Sequence, residues 1–120
     1  DQLYVNYYSA SVGAHIDFHH DHHTCMTGLV VGINLATDCE FRLRASDMPF
    51  LREQPVRVAL PQRAAYLMTG LSRWHLQHAV LDIPADRVSL TFRTVDRACI
   101  SESWLWDREW SELTESERRT

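Results

Sequence analysis

A histidine and an aspartate two residues apart, His19 and Asp21, a distant histidine, His78, and the run Arg87-Val-Ser-Leu-Thr-Phe-Arg93 are the residues of this 120-residue chain that could do chemistry together. Two imidazoles and one carboxylate on one face of an octahedral ion leave three positions open, the donor set of non-heme Fe(II) sites that handle dioxygen. In an extended strand, residues i and i+2 point the same way, so a His-x-Asp pair presents both side chains to one metal without special backbone geometry. A third ligand from a remote strand closes the set. Spacing alone leaves the pair open, because His15, Asp17, His19, Asp21 and His23 all share one nominal face. Both His15/Asp17 and His19/Asp21 qualify, and a polar strand whose histidines merely titrate is the bland alternative.

Arg87 and Arg93 stand six apart in a β-branched and aromatic run, hence on one face with Ser89 and Thr91. An arginine turned into a barrel is costly unless it is paired, so this face asks for anions. Two partners would serve. One is an Asp or Glu of the chain itself; the other is a dicarboxylate, whose oxygens match the guanidinium fork through two parallel charge-assisted hydrogen bonds.

The elements that must hold these residues are short and apolar: Leu3 to Tyr8, Val12 to Phe18, Thr27 to Ala36, Glu40 to Leu43, Val56 to Leu60, Ala64 to Thr69, Trp74 to Val80 and Val88 to Val95. Turn-forming residues separate several of them. About eight short strands with no helical pattern between them point to an all-β sandwich or jelly roll. Residues 45–55, with two prolines and mixed polarity, read as a loop. The character changes after Val95, where Trp106 and Trp110 stand four apart as on one helical face. We therefore expect a core over residues 1–98 and a C-terminal helical tail over residues 99–120, laying Ile100, Trp104 and Leu105 against the sheet.

Composition narrows the setting. A 45% hydrophobic content suits one globular domain, and no apolar run is long enough to span a bilayer as a helix. No secretory leader is evident. The net charge of −4 gives no global attraction for a polyanion. Cys25, Cys39 and Cys99 are odd in number and unevenly spaced, which argues against a disulfide framework and for a reducing, cytoplasm-like compartment. The first residue is Asp1, and the chain enters an apolar run at once, so further residues are expected upstream.

Taken together, the motifs resemble the catalytic core of the AlkB-like 2-oxoglutarate and Fe(II)-dependent dioxygenases, from about Leu3 to Val95. Asn6-Tyr7-Tyr8 is similar to the family's Asn-x-Tyr on the first barrel strand, His19-His20-Asp21 to its His-x-Asp, and Gly28 to Leu35 to the strand that follows. Gly70-Leu-Ser-Arg73 with Gln77-His78-Ala79 looks like the segment bearing the distal histidine, and Arg87 to Arg93 like the closing signature. The resemblance implies a double-stranded β-helix (jelly roll) with Fe(II) and 2-oxoglutarate as cofactors. It implies His19, Asp21 and His78 as iron ligands, with His15/Asp17 as runner-up. It further implies Asn6, Tyr8, Arg87 and Ser89 as contacts of the 2-oxoglutarate carboxylate, with Arg93 near the metal end.

Three departures bear on function. Ser89 stands where nucleic acid demethylases often carry Asn, and the histidine density around the ligands is unusual. Nothing resembles the lid with which those enzymes recognise a base, although Trp74, His75, Tyr66, Phe41 and Arg44 could contribute to a pocket. The resemblance implies dioxygen as co-reactant and oxidative hydroxylation or demethylation. Alkylated nucleic acid is one substrate class; a protein or small molecule is the other, and a degenerate metal-binding barrel is a third reading.

Overall fold

The computed structural model describes residues 2–45, 47 and 49–99. The expected tail helix, with Trp106 and Trp110 on one face, lies outside the described residues.

Eight strands form: β1 (Gln2–Tyr8), β2 (Ile16–His19), β3 (Met26–Leu35), β4 (Cys39–Arg44), β5 (Val56–Leu60), β6 (Ala65–Met68), β7 (Gln77–Val80) and β8 (Arg87–Val95). They pair antiparallel in two four-stranded sheets, ordered β1-β8-β3-β6 and β2-β7-β4-β5. This is the all-β jelly roll expected from the sequence.

On β8 the usual alternation is inverted. Arg87, Ser89 and Thr91 are buried, while Phe92 on the opposite face is exposed. The antiparallel register places Tyr8 opposite Arg87, Asn6 opposite Ser89 and Gln2 opposite Arg93, so β1 turns its own polar row the same way. Directly opposed residues share a face. The outer face of this sheet is correspondingly apolar, with Leu3, Val5, Tyr7, Leu29, Leu67 and Phe92 all exposed. Polar groups thus line one half of the interior and must find partners there.

The other half is an ordinary core. Val30 from β3 and Met68 from β6 meet Phe41, Leu60 and Val80 from the facing sheet, with Ile16, Leu43 and Tyr66 packed around them. Burying each such side chain stabilises by roughly 2 kcal/mol. Gly32 sits opposite Tyr66 on the β3–β6 pair, and a side chain at Gly32 would occupy the space of the Tyr66 ring. The glycine therefore lets that ring lie over β3, against Phe41 at a centroid distance of 4.8 Å.

Four sequence expectations are corrected here. The run Val12 to Phe18 is not one strand: a 3-10 turn over Ala10–Val12 ends at Gly13 with φ 64°, and β2 begins only at Ile16. Trp74 is not in a strand, because residues Gly70–Trp74 form a short helix, α2, and β7 starts at Gln77. Its start is locked locally: the Thr69 amide donates to Ser72 Oγ at 3.1 Å and the Ser72 hydroxyl donates to the Thr69 carbonyl at 2.8 Å, a local cap that outweighs the strand-like Trp-His-Leu-Gln alternation. The loop over residues 45–55 contains a single helical turn, α1 (Pro49–Glu53), whose proline presets φ at the first position. The last correction concerns Cys25 and Cys99. They are joined as a disulfide, leaving Cys39 free, because the turn before β3 and the segment after β8 meet with the two Cα atoms 5.4 Å apart. The argument for a reducing compartment loses its footing with that bond.

Candidate active site

The cross-strand register brings the two histidines together. His19 closes β2 directly opposite His78 on β7, with ring centroids 4.2 Å apart. Asp21 reaches the same place differently from the sequence expectation. β2 ends at His19, after an irregularity in its pairing, and Asp21 projects inward from the loop beyond it. One ligand atom from each of His19, Asp21 and His78 lies within 4.8 Å of the others. His15 and Asp17 are not part of this cluster. They are exposed and lie 3.5 Å from each other.

The three side chains are prepared for a cation. Burial, reinforced by the neighbouring His19 imidazole, pushes the His78 imidazole from its ordinary 6.5 down to about 4, so its ring is a neutral donor at neutral pH. The Nδ1–H of His19 donates to the Asp17 carbonyl at 2.7 Å, which leaves Nε2 as the ring nitrogen available for a ligand bond. Arg93 Nη2 holds Oδ1 of Asp21 at 2.6 Å. The other oxygen, Oδ2, is buried with no hydrogen-bond partner among the described residues and lies 3.9 Å from His78 Nε2. A buried carboxylate oxygen without a partner is expensive, and a divalent ion between it and two imidazole nitrogens removes that cost. The donor set fits Fe(II).

The second half of the cavity belongs to Arg87. This side chain is 2% exposed and has no carboxylate within ion-pairing distance among the described residues. Its Nε donates to Asn34 Oδ1 at 2.7 Å, and its guanidinium carbon stands 4.9 Å over the Tyr8 ring. Asn34 is wholly buried and is itself fixed, its amide nitrogen donating to the carbonyls of Thr37, Leu60 and Pro61 at 2.8, 3.0 and 3.1 Å. The terminal nitrogens of a buried cation held in this way are free to grip an anion.

Asn6, Tyr8, His19, Asp21, His78, Arg87, Ser89 and Arg93 all line one cavity, closed by Tyr66, Phe41 and Met68. The eight residues expected as ligands or cosubstrate contacts therefore line one cavity, and the runner-up pair His15/Asp17 does not. Asn34 is the participant that the sequence reading passes over; a lone amide in the apolar run Gly28 to Leu35 is the signal that marks it. Of the residues considered for a substrate pocket, Tyr66 and Phe41 line the cavity. Trp74 is 36% exposed outside it, with His23 at its edge at 5.8 Å, and Arg44 stacks 4.0 Å over Phe18.

No curated protein matches the chain. The family model described as the 2OG-Fe(II) oxygenase superfamily matches residues 1–93, a span that contains every residue of the cavity just described. A jelly roll, a buried His-Asp-His cluster and that match agree: the chain belongs to the 2OG-Fe(II) oxygenase superfamily and is an oxygenase whose cofactors are Fe(II) and 2-oxoglutarate.

Proposed function

We propose that the chain is an AlkB-like dioxygenase that hydroxylates a C–H bond of its substrate, releasing a demethylated amine where that carbon is a methyl on nitrogen. The observation that carries this reading is the complementary pair of unmet needs in one cavity: the partnerless Oδ2 of Asp21 at one end and the Arg87 cation without a carboxylate at the other. A cation and a dicarboxylate answer both.

His19, Asp21 and His78 would hold Fe(II), which when bound supplies the activation of dioxygen coupled to decarboxylation of 2-oxoglutarate. The chain's own contribution is placement and exclusion. His19 and His78 offer ring nitrogens, and Arg93 pins one oxygen of Asp21 so that the other faces His78. Arg87 would take the far carboxylate of 2-oxoglutarate, with the hydroxyl and amide groups of Tyr8, Ser89 and Asn6 lining the same cavity. Phe41, Tyr66 and Met68 exclude water from the same space, which strengthens each electrostatic contact.

Alkylated nucleic acid is the substrate class that the motif resemblance favours. The net charge of −4 favours a peptide or small molecule instead. Uncoupled succinate formation from 2-oxoglutarate, measured in air with Fe(II) and ascorbate and no prime substrate, tests the oxygenase reading. Turnover should fall in both His78→Ala and Arg87→Ala; equal rates in all three chains would remove the site from the chemistry. A steep loss of substrate binding with salt then separates nucleic acid from the alternative, since neutralised phosphates release counterions.

A further inference from the structure

Arg73 is a charged side chain that the proposed chemistry does not use. It is 2% exposed, its Nε has no hydrogen-bond partner, and no carboxylate lies within ion-pairing distance of it among the described residues. Such a cation is costly to bury. Its only hydrogen-bond partners among the described residues are backbone carbonyls: Asp21 at 3.5 Å, His22 at 3.3 Å and Met26 at 2.5 Å. All three lie on the stretch that leads from the end of β2 through Asp21 to Met26, the first residue of β3. The rigid fork of a guanidinium reaches several carbonyls at once, which a lysine ammonium on a flexible stem does not reproduce. The guanidinium is seated 4.2 Å over the Trp74 ring, which fixes its plane.

The location gives the contacts their meaning. Asp21 leaves the end of β2 without any ladder pairing of its own, so its direction depends on how the 21–26 turn is held. Arg73 lies in α2, a few residues ahead of His78 on β7. One side chain therefore ties the segment carrying one candidate ligand to the segment carrying another.

We propose that Arg73 is a positioning residue for the metal centre, setting the separation between Asp21 and His78 through the carbonyls of the 21–26 turn. The inference rests on the reading of His19, Asp21 and His78 as ligands. It predicts that Arg73 acts on metal affinity and coordination, not on the grip on 2-oxoglutarate.

Co(II) titrated into the full chain, followed by visible absorption, tests this with Arg73→Met, Arg73→Lys and His78→Ala beside the unchanged protein. Loss of a group that orients a metal ligand costs about 10- to 100-fold in affinity. Arg73→Met should show that loss and an altered absorption band, and Arg73→Lys should fall between it and the unchanged chain. The KM for 2-oxoglutarate at saturating metal should stay within about threefold. If Arg73→Met does not fold, Arg73→Lys decides. Both variants binding Co(II) with unchanged affinity and spectrum, and only melting at lower temperature, would make Arg73 a brace of the fold and overturn the proposal. Equal affinity in the unchanged chain and His78→Ala would instead overturn the ligand reading and this inference with it.

Discussion

Arg93 Nη2 lies 2.6 Å from Oδ1 of Asp21, while Oδ2 of the same carboxylate faces His78 Nε2 at 3.9 Å with no hydrogen bond. One oxygen is thereby spent on holding the side chain and the other is kept for a ligand. Both partners are well buried, at 14% and 4% side-chain exposure. Removing one member of a buried pair strands the other, at a cost of about 3–5 kcal/mol. Arg93→Met should accordingly lower the melting temperature of the metal-free chain sharply, and saturating Mn(II) should recover part of it by giving Asp21 a cation again. Thermal unfolding with and without Mn(II) reads both effects. A metal-free melting temperature equal to that of the unchanged chain would contradict the pairing.

Arg87 should behave in the opposite way. Its buried charge meets an amide oxygen and an aromatic face but no carboxylate among the described residues. Replacing such a charge by an apolar side chain of similar length is often neutral or stabilising. Arg87→Met should therefore leave the melting temperature unchanged or raised while raising the KM for 2-oxoglutarate by about 10- to 100-fold, the equivalent of a lost charge-assisted bond of roughly 1.5–3 kcal/mol. A stability–activity trade-off of this kind marks a residue kept for its ligand. Loss of stability without a change in KM would assign Arg87 to the fold.

The metal-free chain should weaken in mild acid. Folded, His78 takes up its proton only near pH 4, because burial and His19 oppose the charge; unfolded, it takes one up from its ordinary 6.5 downward. The unfolded state binds more protons between those values, so stability is full above about pH 6.5 and is lost as pH falls towards about 4. Urea midpoints across this range should fall with pH in the unchanged chain, and the slope should flatten in His78→Gln. An unchanged slope in that variant would place the titration elsewhere.

The Cys25–Cys99 bond closes a loop with a sequence separation of 74. By the chain-entropy account such a crosslink contributes about 4 kcal/mol. Reductant, or Cys25→Ser, should lower stability by that order while leaving 2-oxoglutarate turnover measurable at low temperature. Mass spectrometry after alkylation of the unfolded, unreduced chain should find only Cys39 modified. Three alkylated cysteines would show that the bond is absent in solution.

Much of the site is legible in the sequence because it obeys strand periodicity. Arg87, Ser89, Thr91 and Arg93 on alternate positions of β8 announce a polar inner face, and Asn6 and Tyr8 on β1 fall opposite them by antiparallel register. Other parts depend on facts that a linear pattern does not carry. Asp21 joins His19 from a loop, so its side chain follows the turn that Arg73 holds and not a strand's alternation. Asn34 reads as one polar residue in a core strand until the fold places Arg87 beside it. A hydroxyl cap between Thr69 and Ser72 turns strand-like residues into a helix, and the pairing of Cys25 with Cys99 exists only once β3 and β8 are neighbours.

Anaerobic binding of Fe(II) and then of 2-oxoglutarate to the full chain, compared with His78→Ala and Arg87→Met, tests most directly the claim that one cavity holds both. The account predicts one equivalent of each per chain, loss of tight Fe(II) binding in His78→Ala, and retained Fe(II) with weakened 2-oxoglutarate in Arg87→Met. Fe(II) bound equally by all three chains, or 2-oxoglutarate bound equally with and without Arg87, would contradict it.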